Sequence, residues 1–450
     1  MKNITSQIAS FITDTKYKDL TGIAIEQAKY CFLDWLGVTM IGAQEEASKI
    51  AQNFIQNQNC KEEATILNSN LKTNTIYAAL SNGISGHVLD LDDIYPWGPG
   101  HPGATVFPAA LAIAERNGSP GIDFIKAVIL GFQIQFAIGE AIMPEHYKEG
   151  WHNTSTLGRF GAVSSVSSLL NMSNEEVINA LGIAATSGGG LKGVFGSMSK
   201  SFNAGKACMD GVLAALLASY GFDSTKDSIE NKQGFINNFA SISNSSNTIK
   251  AIHGPLVIEK VRPKKFPSCY STQSVVECML SINSQLNKPL HSEDIESITC
   301  FVHPRCLEIA AIANPKTPLE CRFSTQFCGS VALKKGKLTL EDFNDKNLAD
   351  PDIINIIDKI NFIAKDEYEK NRKAKTIVKF ASGQILDSFV DLSEITKDRN
   401  KSNTNITDKF DSILEQIKIK KIKKDTLKKT ILNLENISNI KEDLIDIISY

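Results

Sequence analysis

Residues 23–36, IAIEQAKYCFLDWL, contain the pattern that decides the fold class. Their apolar side chains recur three or four residues apart, the spacing of one helix face rather than of a strand: Ala24, Ala28, Cys31, Phe32 and Trp35. Further stretches rich in Ala, Leu and Ile share this helical character: 108–116, 122–142, 155–170, 175–186 and 204–220. The sequence therefore predicts one large all-helical domain over residues 1–260.

The composition changes at residues 260–267, KVRPKKFP, a basic stretch with two prolines that cannot continue a helix. Beyond it, short β-branched runs alternate with helical stretches: 295–302, 326–333, 353–357, 359–362 and 375–380. This alternation predicts a smaller α+β domain over residues 261–398. Residues 399–450 are rich in Lys, Asn and Ile at a loose helical spacing, which predicts a C-terminal helical segment that packs back on the helical domain. The expected fold is therefore mostly α.

The overall charge and the cysteine pattern exclude several classes of protein. The 450 residues carry 48 Lys and Arg against 50 Asp and Glu, so no general positive charge recruits nucleic acid or an anionic membrane. Nine cysteines without a Cys-x-x-Cys pair disfavour a disulfide framework and a zinc ribbon. The N-terminus lacks the apolar region of a signal peptide, and stretches such as 127–139 are shorter than the ~18–20 apolar residues that span a bilayer. We expect a cytoplasmic protein without nucleic-acid or membrane partners.

The densest cluster of reactive side chains is HVLDLDD at residues 87–93, followed by a Gly- and Pro-rich stretch that leads through His101 to an Ala-rich helix. On a helix, His87, Asp90 and Asp93 are three residues apart and lie near one face. A histidine near the start of a helix lies where backbone N–H groups attract anions, so the cluster suits a carboxylate substrate. Two other interpretations are open: an acidic helix end with a capping role, or a divalent-metal site formed by the aspartates.

Two further clusters each combine one reactive side chain with a polar or Gly-rich stretch. His152, in GWHNTST at 150–156, precedes a helix and is suited to proton transfer, although a histidine in this position is often a cap or a core hydrogen-bonder. Lys200 ends the loop SGGGLKGVFGSMSK at 187–200, whose backbone donors and ammonium group suit an anion. The loop also matches a dinucleotide-binding fingerprint and a penicillin-binding serine motif, but the first needs a preceding strand and the second needs partner motifs that the sequence lacks.

Five blocks of the sequence, in order, resemble the MmgE/PrpD family, which includes 2-methylcitrate dehydratase, cis-aconitate decarboxylase and iminodisuccinate epimerase. The blocks are 87–115, 150–163, 187–222, 264–277 and 315–333. The resemblance implies a homodimer that uses neither a metal nor a cofactor. It also implies a pocket for a small polycarboxylate, enclosed by the large helical domain and the α+β lid.

The same resemblance implies the functional residues. The catalytic positions fall on Asp90, His101, His152 and Lys200. The substrate-binding positions fall on Asp93 and, in the FPSCYSTQ segment, on Cys269 and Gln273. The expected roles are acid–base catalysis or carboxylate binding by the two histidines, orientation of a histidine by Asp90, and anchoring of the substrate by Lys200.

The sequence departs from the family pattern at several positions. Ile94 stands where relatives often have Thr, and Asn203 stands where many have His. Cys269 and Gln273 replace histidines of the decarboxylases, and Gln273 is similar to the dehydratase branch. The sequence therefore favours a lyase similar to 2-methylcitrate dehydratase. The alternatives are a cis-aconitate decarboxylase-like lyase, an iminodisuccinate epimerase-like isomerase and a non-catalytic carboxylate-binding relative.

Overall fold

The computed structural model of the chain describes residues 3–95, 100–310, 312–368, 372–395 and 398–449. Trp97, in the predicted Gly- and Pro-rich stretch, lies outside the described residues. Helices account for 61% of the chain and strands for 9%, which confirms the predicted mostly α fold.

The helical domain is built around a single large hydrophobic core. Its helices are α1 Ile4–Asp14, α2 Gly22–Gly42, α3 Glu46–Gln56, α4 Thr75–His87, α5 Gly103–Asn117, α6 Gly121–Ile142, α7 Glu145–Lys148, α8 Asn153–Thr156, α9 Gly158–Leu169, α10 Asn174–Thr186, α11 Ser199–Ser219, α12 Phe235–Asn238 and α13 Ser246–Ile252. A two-stranded antiparallel ribbon connects α3 to α4: β1 Ala64–Thr65 and β2 Lys72–Thr73.

Helix α2 contains the stretch at 23–36 and lies at the centre of this core. It begins after Thr21, whose hydroxyl accepts a hydrogen bond from the backbone N–H of Ala24 and so caps the helix. From Cys31 to Gly42 every residue is buried, so only the first turns of the helix have an exposed face. Phe32 contacts the rings of Trp35, Phe107 and Phe124. The helical spacing in the sequence therefore marks a helix that becomes buried on all sides.

A glycine contact between α4 and α11 positions the ends of both helices. A Cβ atom on Gly83 would lie 2.8 Å from the Cα of Gly205, and one on Gly205 would lie 2.5 Å from the carbonyl oxygen of Leu80. Only glycine permits this approach of two helix backbones. Because α4 and α11 pack so closely, His87 at the end of α4 and Lys200 at the start of α11 lie close together.

The small α+β domain has a second hydrophobic core, which draws on residues 266–380. Its sheet has the strand order β4-β3-β5-β6, in which β3 is parallel to β4 and all other neighbours are antiparallel. The strands are β3 Ile295–Val302, β4 Ile360–Ala364, β5 Lys373–Phe380 and β6 Ile385–Asp391. The helices are α14 Gln273–Asn283, α15 Pro304–Ile309, α16 Pro318–Cys321, α17 Thr325–Lys335, α18 Asp345–Leu348 and α19 Pro351–Asp358. Helix α14 packs on β5, β6 and α17.

The C-terminal segment returns from the small domain to the helical one. Its helices are α20 Leu392–Ile395, α21 Arg399–Gln416, α22 Lys421–Leu432 and α23 Asp446–Ser449, the last preceded by a π-helical turn at Lys441–Ile445. Phe410, Leu427 and Leu444 belong to the same hydrophobic core as α1 and α6. The domain limits 1–260, 261–398 and 399–450 stay a prediction.

Helix α6 is the one described helix that is long and apolar enough to cross a membrane. Its apolar window is 78% buried inside the fold, and the helix packs against α9 and α13. This burial is typical of a core helix. The stretch 127–139, too short by itself to span a bilayer, lies within it.

Candidate active site

A cavity of about 330 Å³ lies between the helical domain and the small domain. The helical domain contributes His101, Tyr147 and His152 to its lining, together with the carboxylates of Asp90 and Glu140 and the ammonium group of Lys200. Residues after 261 contribute Lys264, Cys269, Tyr270, Ser271, Arg305, Ile309 and Phe323. All four predicted catalytic residues therefore face one cavity.

Asp90 binds two lysines from distant parts of the chain. Its Oδ1 atom accepts hydrogen bonds from Lys200 Nζ and from Lys264 Nζ, each at 2.8 Å, and Lys264 also donates to the Asp90 carbonyl. All three side chains are buried. Burial opposes ionisation, but the two ammonium groups hold the pKa of the Asp90 carboxyl well below its usual range. Asp90 therefore neutralises one of the two lysines and leaves one positive charge in excess.

The acidic residues after α4 do not share a helix face, so that prediction is wrong. Helix α4 ends at His87, and Asp90 has a positive φ of 52°, a left-handed conformation that Asp tolerates better than most residues. The chain turns there and directs Asp92 and Asp93 towards different partners. Beyond His87, the backbone N–H groups of Val88 and Asp90 donate to the carbonyl oxygens of Ile84 and His87 and close the turn. The side chains of Asp90 and Asp92 then bond lysines and histidines.

Asp92 is the carboxylate that bonds the imidazoles. Its Oδ2 atom lies 2.8 Å from Nδ1 of His87 and 3.2 Å from Nδ1 of His101. Nδ1 of His101 also lies 2.9 Å from the carbonyl oxygen of Asp93, which can only accept a hydrogen bond. Nδ1 of His101 therefore carries a proton, and in the neutral ring Nε2 is the basic nitrogen. This arrangement of carboxylate, imidazole and free Nε2 is suited to a general base.

His152 is the residue that precedes α8, and it lies beside His87. Its ring stacks on that of His87 at 5.7 Å and contacts the edge of Phe195 at 4.9 Å. Nδ1 of His152 lies 3.1 Å from the amide nitrogen of Asn203. Burial, reinforced by the neighbouring His87 and Lys200, holds the pKa of His152 well below its usual range. His152 is therefore neutral near pH 7.

His87 is the most enclosed member of the three imidazoles. Burial, with help from Lys200, lowers its pKa to about 4, although Asp92 acts in the opposite direction. Its Nε2 atom is buried and has no hydrogen-bond partner among the described residues. His87 does not line the cavity, and its contribution to the site is the hydrogen bond to Asp92.

The predicted substrate-binding residues occupy three different environments. Cys269 lines the cavity, and burial raises the pKa of its thiol. Asp93 accepts a hydrogen bond from the backbone N–H of Gly103 at the start of α5, and burial beside Asp92 raises its pKa. The Gln273 amide bonds to the backbone of Phe266 and to Ser268. Asp93 and Gln273 thus hold loops and lie outside the cavity lining.

The glycines of the loop before Lys200 also lie outside the cavity lining. Arg159 holds this loop, because its guanidinium donates to the carbonyl oxygens of Ser187 and Gly189 and pairs with Asp210 at 2.9 Å. The loop therefore positions Lys200, and its carbonyl groups are bound by protein rather than exposed to a ligand.

Sequence reasoning missed four residues of the site. Lys264 lies in the basic stretch that predicts a domain boundary and begins the fourth block of the family resemblance, but neither observation gives it a role in the site. Tyr147 and Arg305 carry no local motif, and the Arg305 guanidinium lies 5.1 Å from the centre of the Tyr147 ring. Asn203 was noted only as a departure from the family pattern. Its place one helical turn after Lys200 is the one signal that connects it to the site.

Four side chains of the site have the residue types of a metal centre. The potential ligand atoms of His87, Asp90, Asp92 and His101 all lie within 4.8 Å of one another. However, Asp90 already binds two ammonium groups, and Asp92 accepts from both imidazoles. A divalent cation would have to displace two lysines and approach their charge, so the donor set fits an internal charge network better than a metal.

Comparison with known proteins gives a consistent assignment over the whole site. The family model for the MmgE/PrpD N-terminal domain matches residues 6–246, and that for the MmgE/PrpD C-terminal domain matches residues 266–435. Cis-aconitate decarboxylase of Homo sapiens is 27% identical over 80% of this chain and 76% of its own length. The Aspergillus terreus cis-aconitate decarboxylase is 24% identical over 88% of this chain and 84% of its own length.

Relatives of a second kind match at similar identity. The 2-methylcitrate dehydratase of Escherichia coli strain K12 is 23% identical over 77% of this chain and 74% of its own length. Both family models together cover all the residues that line the cavity, apart from the short connection that contains Lys264. The chain belongs to the MmgE/PrpD family.

Proposed function

We propose that the chain is a lyase that acts on a small tricarboxylate bound in the cavity between the two domains. The observation that carries this proposal is the charge of the lining: three cationic side chains stand against the carboxylates of Asp90 and Glu140. An enclosed carboxylate is costly unless a cation or hydrogen-bond donors compensate it. A ligand with several carboxylates therefore suits this cavity better than a neutral one.

Arg305 supports the binding of more than one carboxylate. It belongs to the small domain, whereas Lys200 belongs to the helical domain. Within the described part of the chain, no carboxylate lies at ion-pair distance from Arg305, and its guanidinium lies over the Tyr147 ring. Lys192 lies over the same ring at 3.8 Å and adds positive charge nearby. A guanidinium binds a carboxylate through two parallel hydrogen bonds, so Arg305 is suited to hold a second carboxylate of the ligand.

The acid–base chemistry is assigned to His101. Asp92 orients its ring and stabilises the imidazolium, as the carboxylate does in a catalytic triad. The Nε2 atom of His101 lies 3.9 Å from Asp90 Oδ1, on the cavity side of the cluster. One histidine with this support is sufficient to deliver one proton to a carbon or to remove one from it.

Decarboxylation of an unsaturated tricarboxylate such as cis-aconitate is the reaction that this geometry supports best. The C–C bond to one carboxylate breaks and CO₂ leaves, while the electron pair spreads over the neighbouring double bond and carboxylate. The cations beside Asp90 stabilise that charge, and the His101 imidazolium adds a proton to carbon. Relatives named as cis-aconitate decarboxylases align with 80–88% of this chain, which supports this choice.

Dehydration of a 2-methylcitrate-like substrate is the second candidate, and the relatives named as 2-methylcitrate dehydratases favour it. Dehydration requires one group that removes a proton from carbon and another that protonates the leaving hydroxyl. Gln273 is the residue by which the sequence resembles the dehydratases. Its amide binds backbone groups and lies outside the cavity lining. We therefore rank dehydration second.

The test is a panel of cis-aconitate, 2-methylcitrate, citrate and an imino-dicarboxylate in deuterated buffer, followed by NMR. The expected result is release of CO₂ from cis-aconitate and one deuterium on carbon in the product. Water loss from 2-methylcitrate alone would select the second candidate. Deuterium exchange without loss of CO₂ or water would indicate an isomerase, and binding without turnover would indicate a non-catalytic relative; either result contradicts the proposal.

A further inference from the structure

The buried amide of Asn203 connects the helix of Lys200 to His152. Asn203 lies on α11, three residues after Lys200. Its Nδ2 atom lies 3.1 Å from Nδ1 of His152 and 3.3 Å from the carbonyl oxygen of Leu191. The side chains of Asn203 and His152 are both buried, so water does not compete for the bond between them.

The contact with Leu191 determines which way the amide points. A carbonyl oxygen only accepts hydrogen bonds, so the atom of Asn203 that faces Leu191 must be the NH₂ group. The opposite orientation would place two acceptor oxygens against each other in a partly buried site and lose both hydrogen bonds of the NH₂ group, which is costly. The NH₂ group has two protons and donates one to Leu191 and the other to His152.

This donation fixes the proton on the His152 ring. Because Nδ1 of His152 accepts a hydrogen bond, it has no proton of its own, and the neutral ring carries its proton on Nε2. His101 has the opposite arrangement, since its Nδ1 donates to the Asp93 carbonyl and its Nε2 is basic. The two histidines that line the cavity are therefore held in opposite tautomers.

We propose that Asn203 is a positioning residue that holds His152 as an Nε2–H donor, so that His152 binds a substrate carboxylate and proton transfer is left to His101. The identity of the ligand as a polycarboxylate rests on the proposed function. Protonation of Nδ1 would require Asn203 to turn its amide and lose its bond to Leu191. His152 therefore offers a fixed hydrogen bond to the ligand and does not carry protons between bulk water and the substrate.

The first test measures the tautomer on the ligand-free protein. Long-range ¹H–¹⁵N NMR of the ¹⁵N-histidine-labelled chain distinguishes a protonated from an unprotonated ring nitrogen, and His152→Gln assigns the signals. Near neutral pH we expect the proton of His152 on Nε2 and that of His101 on Nδ1. A wild-type His152 with its proton on Nδ1 would overturn the proposal.

The second test reverses the tautomer with Asn203→Asp and uses Asn203→Ala as the matched control. Both variants lose the bond to Leu191, but only the aspartate accepts a proton from Nδ1 of His152. The carboxylate also raises the pKa of the imidazole beside it. Below that pKa the ring is an imidazolium and still donates from Nε2. Above it, Nε2 has lost its proton and presents a lone pair to the substrate carboxylate.

The KM for the tricarboxylate in Asn203→Asp should therefore rise with pH, by roughly 10- to 100-fold for a lost hydrogen bond to a charged group. Asn203→Ala should show no such rise. The other titratable and charged groups that face His152 are common to all three proteins: His87, Asp90, His101 and Lys200. The difference between the two variants therefore reports His152 alone.

Two results contradict the proposal after folding of both variants is verified by circular dichroism. One is an unchanged Nε2–H tautomer in Asn203→Asp, which would mean that Asn203 does not set it. The other is a reversed tautomer with a pH-independent KM, which would mean that His152 does not bind the carboxylate. If no panel compound is turned over, the proposed function fails, whereas the tautomer experiment needs no substrate and gives its own answer.

Discussion

The two sides of the cavity hold their charged side chains in different ways. On the helical-domain side, Asp90, His101 and Lys200 bind one another or shared neighbours through ion pairs and short hydrogen bonds. On the small-domain side, Arg305 projects from a six-residue helix and contacts an aromatic ring. One side is an interconnected charge network, which Lys264 joins through Asp90. The other presents the Arg305 guanidinium beside Cys269 and Phe323.

This difference suggests that the two sides of the cavity have different roles in catalysis and in ligand binding. A network in which Asp90 bonds two lysines and Asp92 bonds two imidazoles keeps its geometry before the ligand arrives, as proton transfer and charge stabilisation require. A side chain held only by stacking can adjust to the ligand that it binds. We expect substitutions within the charge network to change kcat, alone or together with KM, and substitutions of Arg305 to change KM.

The largest effect is expected for His101→Gln. The variant removes the carboxylate-supported nitrogen but keeps a polar side chain of similar length, so kcat should fall by about 10²–10⁴-fold with little change in KM. Steady-state kinetics on the identified substrate provide the measurement. His253→Gln, on an exposed residue, is the control and should keep wild-type rates. A His101→Gln enzyme with normal kcat would move proton transfer to another group.

The next effect is expected for Lys200→Met. The variant leaves Asp90 paired with Lys264 alone, which removes the excess positive charge beside the substrate. Both the bound substrate and the transition state carry negative charge, so KM should rise and kcat should fall, with kcat/KM about 10²-fold lower. Lys226→Met, an exposed lysine, controls for the general loss of charge. A change in KM alone would assign Lys200 to ground-state binding.

A smaller effect, confined to KM, is expected for Arg305→Met. Loss of one bidentate contact should raise KM by about 10-fold or somewhat more and leave kcat within about twofold. Arg305→Lys keeps the charge but not the planar donor pair, so it should restore only part of the affinity. A dicarboxylate inhibitor should lose less affinity than a tricarboxylate in these variants. Equal losses for both ligands would argue against Arg305 as the contact of the additional carboxylate.

The smallest effect is expected for Lys409→Met and concerns stability. Lys409 on α21 pairs with buried Asp34 at 2.7 Å and donates to the carbonyl oxygens of Leu91 and Lys264. Burial raises the pKa of Asp34, so its carboxyl can take up a proton when the lysine is lost. We expect the free energy of unfolding in urea to fall by about 1–2 kcal/mol.

The double variant Lys409→Met/Asp34→Asn provides the control, because it removes the acid together with its partner. It should be more stable than Lys409→Met alone. If the double and single variants are equally unstable, the contribution of Lys409 comes from its bonds to the two carbonyl groups.

Much of the fold was predictable because periodicity is a local property. The stretch 295–302 forms β3 with the predicted bounds, and 175–186 lies within α10. Other boundaries depend on contacts between residues that are far apart in the sequence, so a short stretch of sequence does not predict them. The stretch 155–170 is divided at Leu157 into α8 and α9, and α5 begins at Gly103 although its predicted start was Pro108, which lies inside the helix. Strand β6 was missed because its residues are partly exposed and only its pairing with β5 defines it.

The site was predictable as a set of residues but not as a set of contacts. The sequence brought Asp90, His101 and Lys200 into one hypothesis, and they line one cavity. It did not predict that Asp92 bonds the imidazoles or that Lys264, 174 residues later in the chain, shares Asp90. The bonds of Asp92 depend on the turn at Asp90, and the bond of Lys264 depends on packing between the domains; the residue types alone indicate neither.

Lys409 also has a consequence for the order of events during synthesis. The ribosome releases the chain from its N-terminus, and helical segments begin to fold as they emerge. The carbonyl groups of Leu91 and Lys264 gain their ammonium partner only when residue 409 has left the exit tunnel. A nascent chain that already holds both halves of the cavity therefore still lacks these bonds, so the newly synthesised protein should reach its full stability only near the end of translation.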